Sequence, residues 1–298
     1  MSVISVNITG KTRIMGLIGN PVEHSISPQL HNNLCKHFDL NLAYLPFRVY
    51  SDDLFTVVEA FKALDVVGFN ITIPHKVDII KYLDNVSEEA LIIGAVNTVR
   101  IKDKKLFGYN TDGQGFMRSL RDAGMDVKGL KVVILGAGGA ARAVAVKLAQ
   151  EGANSIVILN RSKEKARILT ELVNNRVKEV AVFDEMTKDK LIGYTQDCNI
   201  IINTTSVGMW PEIDKSPIEM AEIFENRPFV CDLIYNPIKT KFLKNAEENS
   251  CKTLSGLGML IYQGVSAFEI WNEINVPDNI TKQMINKFVD FFKGNEGI

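Results

Sequence analysis

At 298 residues, 46% hydrophobic and 23% charged, the chain has the balance of an ordinary globular protein and enough length for two cores rather than one. Its 34 basic and 35 acidic side chains leave a net charge of -1, without the basic excess that a nucleic-acid partner demands. Residues 1–10 carry neither the basic nor the apolar segment of a signal peptide, and no apolar run approaches the ~20 residues of a membrane span. Cys35, Cys198, Cys231 and Cys251 are widely separated and fit free thiols of a reducing cytosol rather than a zinc site. No metal is expected.

Residues 13–19 read as a strand ending in glycine. Beyond the turn at Asn20-Pro21, a helix is expected from Pro28, which suits a first turn, with Ser27 as its N-cap. A second strand covers 43–49, and Leu54, Val57, Val58, Phe61 and Leu64 mark the buried stripe of a helix over 52–64. A third strand covers 67–72, and a helix is expected to leave it at Pro74. Strands alternating with helices imply parallel βαβ units.

From residue 131 the pattern sharpens. Lys131-Val132-Val133-Ile134-Leu135 is the near-continuous apolar run of a strand covered on both faces, and a helix follows from about Ala140 to Glu151. Strands at 155–159, 199–204 and 229–233 extend this into a doubly wound dinucleotide-binding domain. Two closing helices, near 261–271 and 280–292, are assigned to the first sheet, which otherwise has too few helices to cover it. The expected fold is α/β, with an amino-terminal α/β domain of residues 1–112, completed by 256–298, and a Rossmann-type domain of 113–255. A hinge is expected where the chain crosses, near 112–115 and 255–258.

Gly136-x-Gly138-x-x-Ala141 is a G-x-G-x-x-A turn between an apolar strand and a helix. Its first glycine makes the tight turn, its second admits a pyrophosphate to the helix N-terminus, and its small sixth residue lets helix and strand pack closely. At the end of the next strand, where NAD-binding chains usually carry an acid for the ribose 2′-hydroxyl, stand Asn160-Arg161-Ser162 and then Lys165. A cation there pairs with a 2′-phosphate that a carboxylate would repel, so NADP is the expected cofactor.

His24-Ser25-Ile26-Ser27-Pro28 sets two hydroxyls beside a helix start. Capping accounts for Ser27 better than for Ser25, and donation by both to a substrate carboxylate is the other reading; these residues leave both open. Lys76, in Asn70-Ile71-Thr72-Ile73-Pro74-His75-Lys76, and Asp112, in Gly108-Tyr109-Asn110-Thr111-Asp112-Gly113, are the expected proton-handling pair, with a structural ion pair as the alternative. Asn97 and Asn110 can bind ring hydroxyls or serve their own turns, and His75 reads as an incidental neighbour of the lysine. The stretch Thr204-Thr205-Ser206 is expected to border the nicotinamide, while Met259, taken alone, reads as core.

In order along the chain, these motifs resemble the shikimate dehydrogenase family. They run from Gly19-Asn20-Pro21 through Asn70-x-Thr72-x-Pro74-x-Lys76, Gly94-Ala95-x-Asn97-Thr98 and Asn203-x-Thr205-Ser206-x-Gly208-Met209 to Asp232-x-x-Tyr235-x-Pro237 and Gly256-x-Gly258-Met259-Leu260-x-x-Gln263. The resemblance implies reversible NADPH-dependent reduction of 3-dehydroshikimate to shikimate, in aromatic amino-acid biosynthesis in the cytoplasm, by a monomer or homodimer. It assigns Ser25 and Ser27 to the substrate carboxylate with Tyr235 nearby, Thr72, Asn97 and Gln263 to ring oxygens, and catalysis to Lys76 with Asp112. NADP is implied to meet Gly136, Ala137, Gly138, Gly139, Ala140, Asn160, Arg161, Ser162, Lys165, Thr205 and Leu233, with Gly256 and Met259 near the nicotinamide. Ser162 stands where the family often has threonine, which keeps the hydroxyl. The alternatives are a quinate/shikimate dehydrogenase using NAD or NADP, and a catalytically silent NADP-dependent binding protein.

Overall fold

The computed structural model describes residues 7–295, and the chain folds into two compact units. The first comprises the chain up to Thr111 together with Gln263–Met284, and the second Asp112–Tyr262 together with the chain from Ile285.

In the first unit the order is β1 (Arg13–Gly19), α1 (Ser27–His37), β2 (Leu42–Arg48), α2 (Leu54–Ala63), β3 (Gly68–Ile71), β4 (Asn85–Val86), α3 (Glu88–Ile93), β5 (Thr98–Lys102) and β6 (Lys105–Tyr109). The sheet order is β2-β1-β3-β5-β6-β4. Strands β2, β1 and β3 are parallel, as the alternation implied, but β5 runs antiparallel to both β3 and β6. The β5–β6 hairpin turns through Asp103 and Lys104, at φ 52° and 58°, the left-handed pair that a two-residue turn requires. Neither residue is glycine or asparagine, so the sequence hides this turn.

The helix expected from Pro74 does not form. The chain instead makes turns through 73–77 and a short 3-10 helix at Asp78–Tyr82. The reason is tertiary: His75 Nε2 lies 2.8 Å from the Val49 carbonyl, and the Lys76 carbonyl accepts from Val96 N–H at 2.8 Å. The second bond takes the Lys76 carbonyl out of any helix ladder, and the first holds the turn against the chain beyond β2. One face of the sheet packs Val58, Phe61, Phe69, Ile71 and Ile79 into a core, with Phe61 edge-on to Phe69 at 5.2 Å.

The second unit follows as α4 (Asp112–Asp122), β7 (Lys131–Leu135), α5 (Gly139–Gln150), β8 (Ser155–Asn160), α6 (Lys163–Arg176), β9 (Ala181–Glu185), α7 (Lys188–Thr195), β10 (Ile200–Asn203), β11 (Phe229–Asp232), α8 (Lys241–Glu248) and β12 (Thr253–Leu254). All its pairings are parallel, in the order β12-β11-β10-β7-β8-β9. The reversal beside β7 is the switch point at which doubly wound sheets open a ligand crevice. Val133, Leu135, Val157, Ile201 and Val230 form the strand side of its core.

The last helices are α9 (Leu257–Asn272) and α10 (Asp278–Asn295), and the division between the units falls inside both. In the first unit, Trp271 of α9 donates its indole N–H to the Val99 carbonyl at 2.9 Å, so the carboxyl-terminal part of this helix packs on the first sheet. A Cβ at Gly68 would lie 2.3 Å from that indole, which leaves room there only for glycine. Among the described residues no helix is long and apolar enough to cross a membrane.

Candidate active site

In the first unit, the carboxyl ends of the parallel strands β1 and β3 lie side by side and carry two loops. Asn20 N–H donates to the Ile73 carbonyl at 2.8 Å, and Thr72 N–H to that of Ile18 at 2.9 Å. A Cβ on Gly19 would approach Thr72 Cγ2 to 2.2 Å, so the loop bearing Ser25 and Ser27 reaches the loop bearing Thr72 and Lys76 only because residue 19 is glycine.

The two serines exchange the roles expected of them as caps. Ser27 is already the first residue of α1, next to Pro28, and Ile26 occupies the N-cap without a side-chain bond. The Ser25 hydroxyl does the capping, accepting from Ser27 N–H at 3.2 Å. Ser27 is thus released from the task that the sequence assigned it.

Asn97 and Gln263, far apart in sequence, meet: Asn97 Nδ2 donates to Thr111 Oγ1 at 2.9 Å and to Gln263 Oε1 at 3.4 Å. Asn97 Oδ1 accepts from Thr98 Oγ1 and Thr111 N–H, each at 2.9 Å. Asn110 serves its own surroundings, donating to the Ala95 carbonyl at 2.9 Å. Lys76 is half-buried, and the Val96 amide on its carbonyl ties it to the turn that carries Asn97. His75 is no incidental neighbour. Fully buried and bonded to Val49, it anchors the lysine's loop to the chain beyond β2.

Asp112 opens α4 in the second unit and is buried there, at the positive end of the helix dipole that favours a carboxylate.

The glycine turn also lies in the second unit, after β7. Gly136 has φ 107°, and a Cβ there would come within 2.6 Å of Thr204 Oγ1. Gly138 and Gly139 face open space, and the N-cap of α5 at Gly138 makes no side-chain bond. Backbone N–H groups at a helix start, in a cradle without side chains, suit a pyrophosphate. Ala137 and Ala140 are half-buried within this turn.

After β8, Asn160 Nδ2 donates to the Ser162 carbonyl at 2.9 Å, and Ser162 caps α6 by accepting from Lys165 N–H. Asn160 and Ser162 therefore shape the turn. Arg161 and Lys165 project exposed from it, and neither has an ion-pair partner among the described residues. That leaves two exposed cations at the strand end, with Lys163 rather than an acid following Ser162.

A buried polar network stands behind the other cofactor-side residues. Asn203 Oδ1 accepts from Thr205 Oγ1 at 2.7 Å, while its Nδ2 donates to Asp232 Oδ1 at 3.0 Å. Asp232 also accepts from Ile234 N–H at 3.0 Å and from Thr240 Oγ1 at 2.7 Å. Burial is the larger influence and pushes its carboxyl up to about 6, against the three hydrogen bonds. Leu233, Ile234 and Tyr235 leave this anchor together. Sequence reasoning met Asp232 only as part of a motif, because its importance lies in burial and in partners distant along the chain.

Gly256 is pressed against that segment: a Cβ would lie 2.0 Å from the Leu233 carbonyl, and Gly256 N–H donates to the Ile234 carbonyl at 3.0 Å. Met259, in the first turn of α9, is buried. Tyr235 belongs to the second unit, edge-on to Phe292 at 6.3 Å, with burial raising its phenol.

A parallel sheet with a switch point, a bare glycine turn and two exposed cations at the next strand end define a Rossmann-type dinucleotide-binding protein. Family models agree and extend the definition. Residues 17–99 match a shikimate dehydrogenase substrate binding domain, 119–239 a shikimate / quinate 5-dehydrogenase domain, and 256–285 a shikimate 5'-dehydrogenase C-terminal domain.

The chain is 47% identical to a shikimate dehydrogenase (NADP(+)) of Methanococcus aeolicus, over 93% of this chain and 98% of that one. It is similar to a solved shikimate dehydrogenase in complex with NADP+ at TM-score 0.88 and 45% identity, covering 94% of this chain and 97% of the other. It is also similar to a shikimate 5-dehydrogenase from Listeria monocytogenes in complex with shikimate and NAD, at TM-score 0.88 and 38% identity, covering 94% and 99%. The chain belongs to the shikimate dehydrogenase family.

Proposed function

We propose that this protein catalyses the reversible, NADPH-dependent reduction of 3-dehydroshikimate to shikimate, a step in aromatic amino-acid biosynthesis. What supports this reading is a chain of bonds in the first unit: Asn20 N–H on the Ile73 carbonyl ties the loop of Ser25 and Ser27 to that of Thr72 and Lys76, the Val96 amide on the Lys76 carbonyl ties that loop to the turn of Asn97, and Asn97 bonds Gln263. Hydroxyls, amides and one ammonium are the donor set that a polyhydroxylated carboxylate calls for.

Ser25 and Ser27 hold the substrate carboxylate, with Tyr235 contributing. Thr72, Asn97 and Gln263 hydrogen-bond the ring oxygens and fix which carbonyl is presented. NADPH, when bound, supplies the hydride. The Lys76 ammonium gives its proton to the alkoxide oxygen formed from that carbonyl, and Asp112 is its acidic partner. The cofactor's pyrophosphate falls to Gly136, Gly138 and Gly139 with the first turn of α5, and its 2′-phosphate to Arg161 and Lys165. Thr205, Leu233, Gly256 and Met259 flank the nicotinamide. Four free cysteines, each buried, support a reducing cytoplasm as the setting.

Steady-state kinetics with shikimate and quinate, each with NADP+ and NAD+, test the reading. Shikimate with NADP+ should show by far the highest kcat/KM. Comparable turnover of quinate with NAD+ would overturn the assignment, and tight NADPH binding without turnover of either acid would mark a binding protein.

A further inference from the structure

Tyr44 lies on β2, two strands away from Asn70 on β3, yet its side chain crosses β1 to reach it. The phenol is 1% exposed and donates to Asn70 Oδ1 at 2.8 Å. Its ring stacks on His31 of α1, with centroids 4.3 Å apart and planes 15° from parallel. Asn32, the next residue of α1, pins the Tyr44 backbone from both sides, accepting from its N–H at 2.9 Å and donating to its carbonyl at 3.0 Å. Ser27, at the start of that helix, interacts through its hydroxyl with the phenol. Burial of this degree and bonding this specific exceed what an apolar core position requires.

The bond from Tyr44 starts a directed relay. With Asn70 Oδ1 accepting from the phenol, Asn70 Nδ2 points the other way and donates to the Asn97 carbonyl and to Thr98 Oγ1, each at 3.1 Å. Thr98 Oγ1, occupied as an acceptor, donates onward to Asn97 Oδ1 at 2.9 Å. That leaves Asn97 Nδ2 facing Thr111 Oγ1 and Gln263 Oε1. An asparagine amide can sit in either of two orientations of nearly equal shape, and its neighbours decide which. The Asn97 carbonyl, which only accepts, and the Thr111 N–H, which only donates, set which way the two amides face, and the phenol holds Asn70 Oδ1 where its Nδ2 can reach the Asn97 carbonyl and Thr98 together.

We propose that Tyr44 is a positioning residue for substrate recognition, holding Asn70 and through it Thr98 and the Asn97 carbonyl in the place from which Asn97 and its neighbour Gln263 present their amides to the substrate's ring hydroxyls. This rests on the substrate reading above. The phenol touches no reacting atom, so its removal weakens ground-state and transition-state binding alike and acts on KM rather than kcat.

The test is a kinetic double-mutant cycle of Tyr44→Phe and Asn97→Ala, run with shikimate and NADP+. Wild-type turnover is measured first. Its absence would defeat the substrate reading and not the relay. Given turnover, Tyr44→Phe should raise KM for shikimate about five- to tenfold, with kcat within about twofold and KM for NADP+ unchanged. In the Asn97→Ala background the same substitution should change KM by less than about twofold, because the relay's output is already gone. An unchanged KM with only a lower melting temperature would overturn the proposal, as would an equal fold-change in both backgrounds. Should Tyr44→Phe not fold, Asn70→Leu breaks the same relay one link on, and the same outcomes apply to it.

Discussion

Asp232 carries a pH dependence whose size and sign follow from its surroundings. Its carboxylate ends β11 at 1% exposure, and its carboxyl is pushed up to about 6 from an ordinary value near 3.8. Because the folded value lies above the unfolded one, the native state takes up a proton that the unfolded chain has released between about pH 4 and pH 6. The contribution is therefore full below about pH 4 and is lost as pH rises through 6. Above that, folding bears the cost of a buried anion. A rise across about two pH units, at ~1.4 kcal/mol for each, sets this at roughly 3 kcal/mol, with little reduction for solvent at such depth.

Asp232→Asn removes the titration while keeping most of the network. The amide oxygen can still accept from Asn203 and Ile234, and the amide nitrogen faces Thr240 Oγ1, which can accept in turn. Thermal melts of parent and variant, paired at each pH from 4 to 8, isolate the effect from every other titrating group. The variant's stability relative to the parent should climb by up to roughly 3 kcal/mol between pH 4 and pH 7, or several degrees of melting temperature. Any offset from altered hydrogen bonds is independent of pH and does not enter the slope. A difference between the two proteins that stays flat across this range would refute the reasoning.

Arg161→Ala should raise KM for NADP+ by about 10- to 100-fold, the loss of one charge-assisted contact of ~1.5–3 kcal/mol, while KM for NAD+ barely moves. Equal losses with both cofactors would count against a 2′-phosphate at this position. Gly136→Ala forces a side chain onto a φ of 107° and to within 2.6 Å of Thr204 Oγ1, so titration calorimetry should find NADPH affinity reduced at least tenfold, by ~1.4 kcal/mol or more. Undiminished affinity would dismiss the turn as a cofactor cradle. Lys76→Ala should lower kcat for shikimate oxidation by about 10²–10⁴, and a variant that loses only affinity would remove the lysine from proton transfer.

The residues proposed to carry the chemistry stand in short motifs, and that is what made them legible as candidates. Ser25, Ser27, Thr72 and Lys76 sit within a few positions of a strand end, and Gly136, Gly138 and Arg161 follow apolar runs whose period announces the strand. What escaped reading works across distance. His75 reaches Val49 and Tyr44 reaches Asn70, each over 26 residues, and Asn203 meets Asp232 over 29. The β5–β6 turn at Asp103-Lys104 and the missing helix at Pro74 belong with these, since long-range pairing overrode local preference at both. Local patterns thus nominate the atoms proposed to meet a ligand, whereas the groups that hold those atoms in place become visible only once the sheet has closed. A substitution at Tyr44 or His75 should therefore look mild in sequence and harm function through a partner that the sequence does not name. The kinetic cycle at Tyr44 measures that coupling directly, because an effect transmitted through Asn97 must vanish when Asn97 is removed.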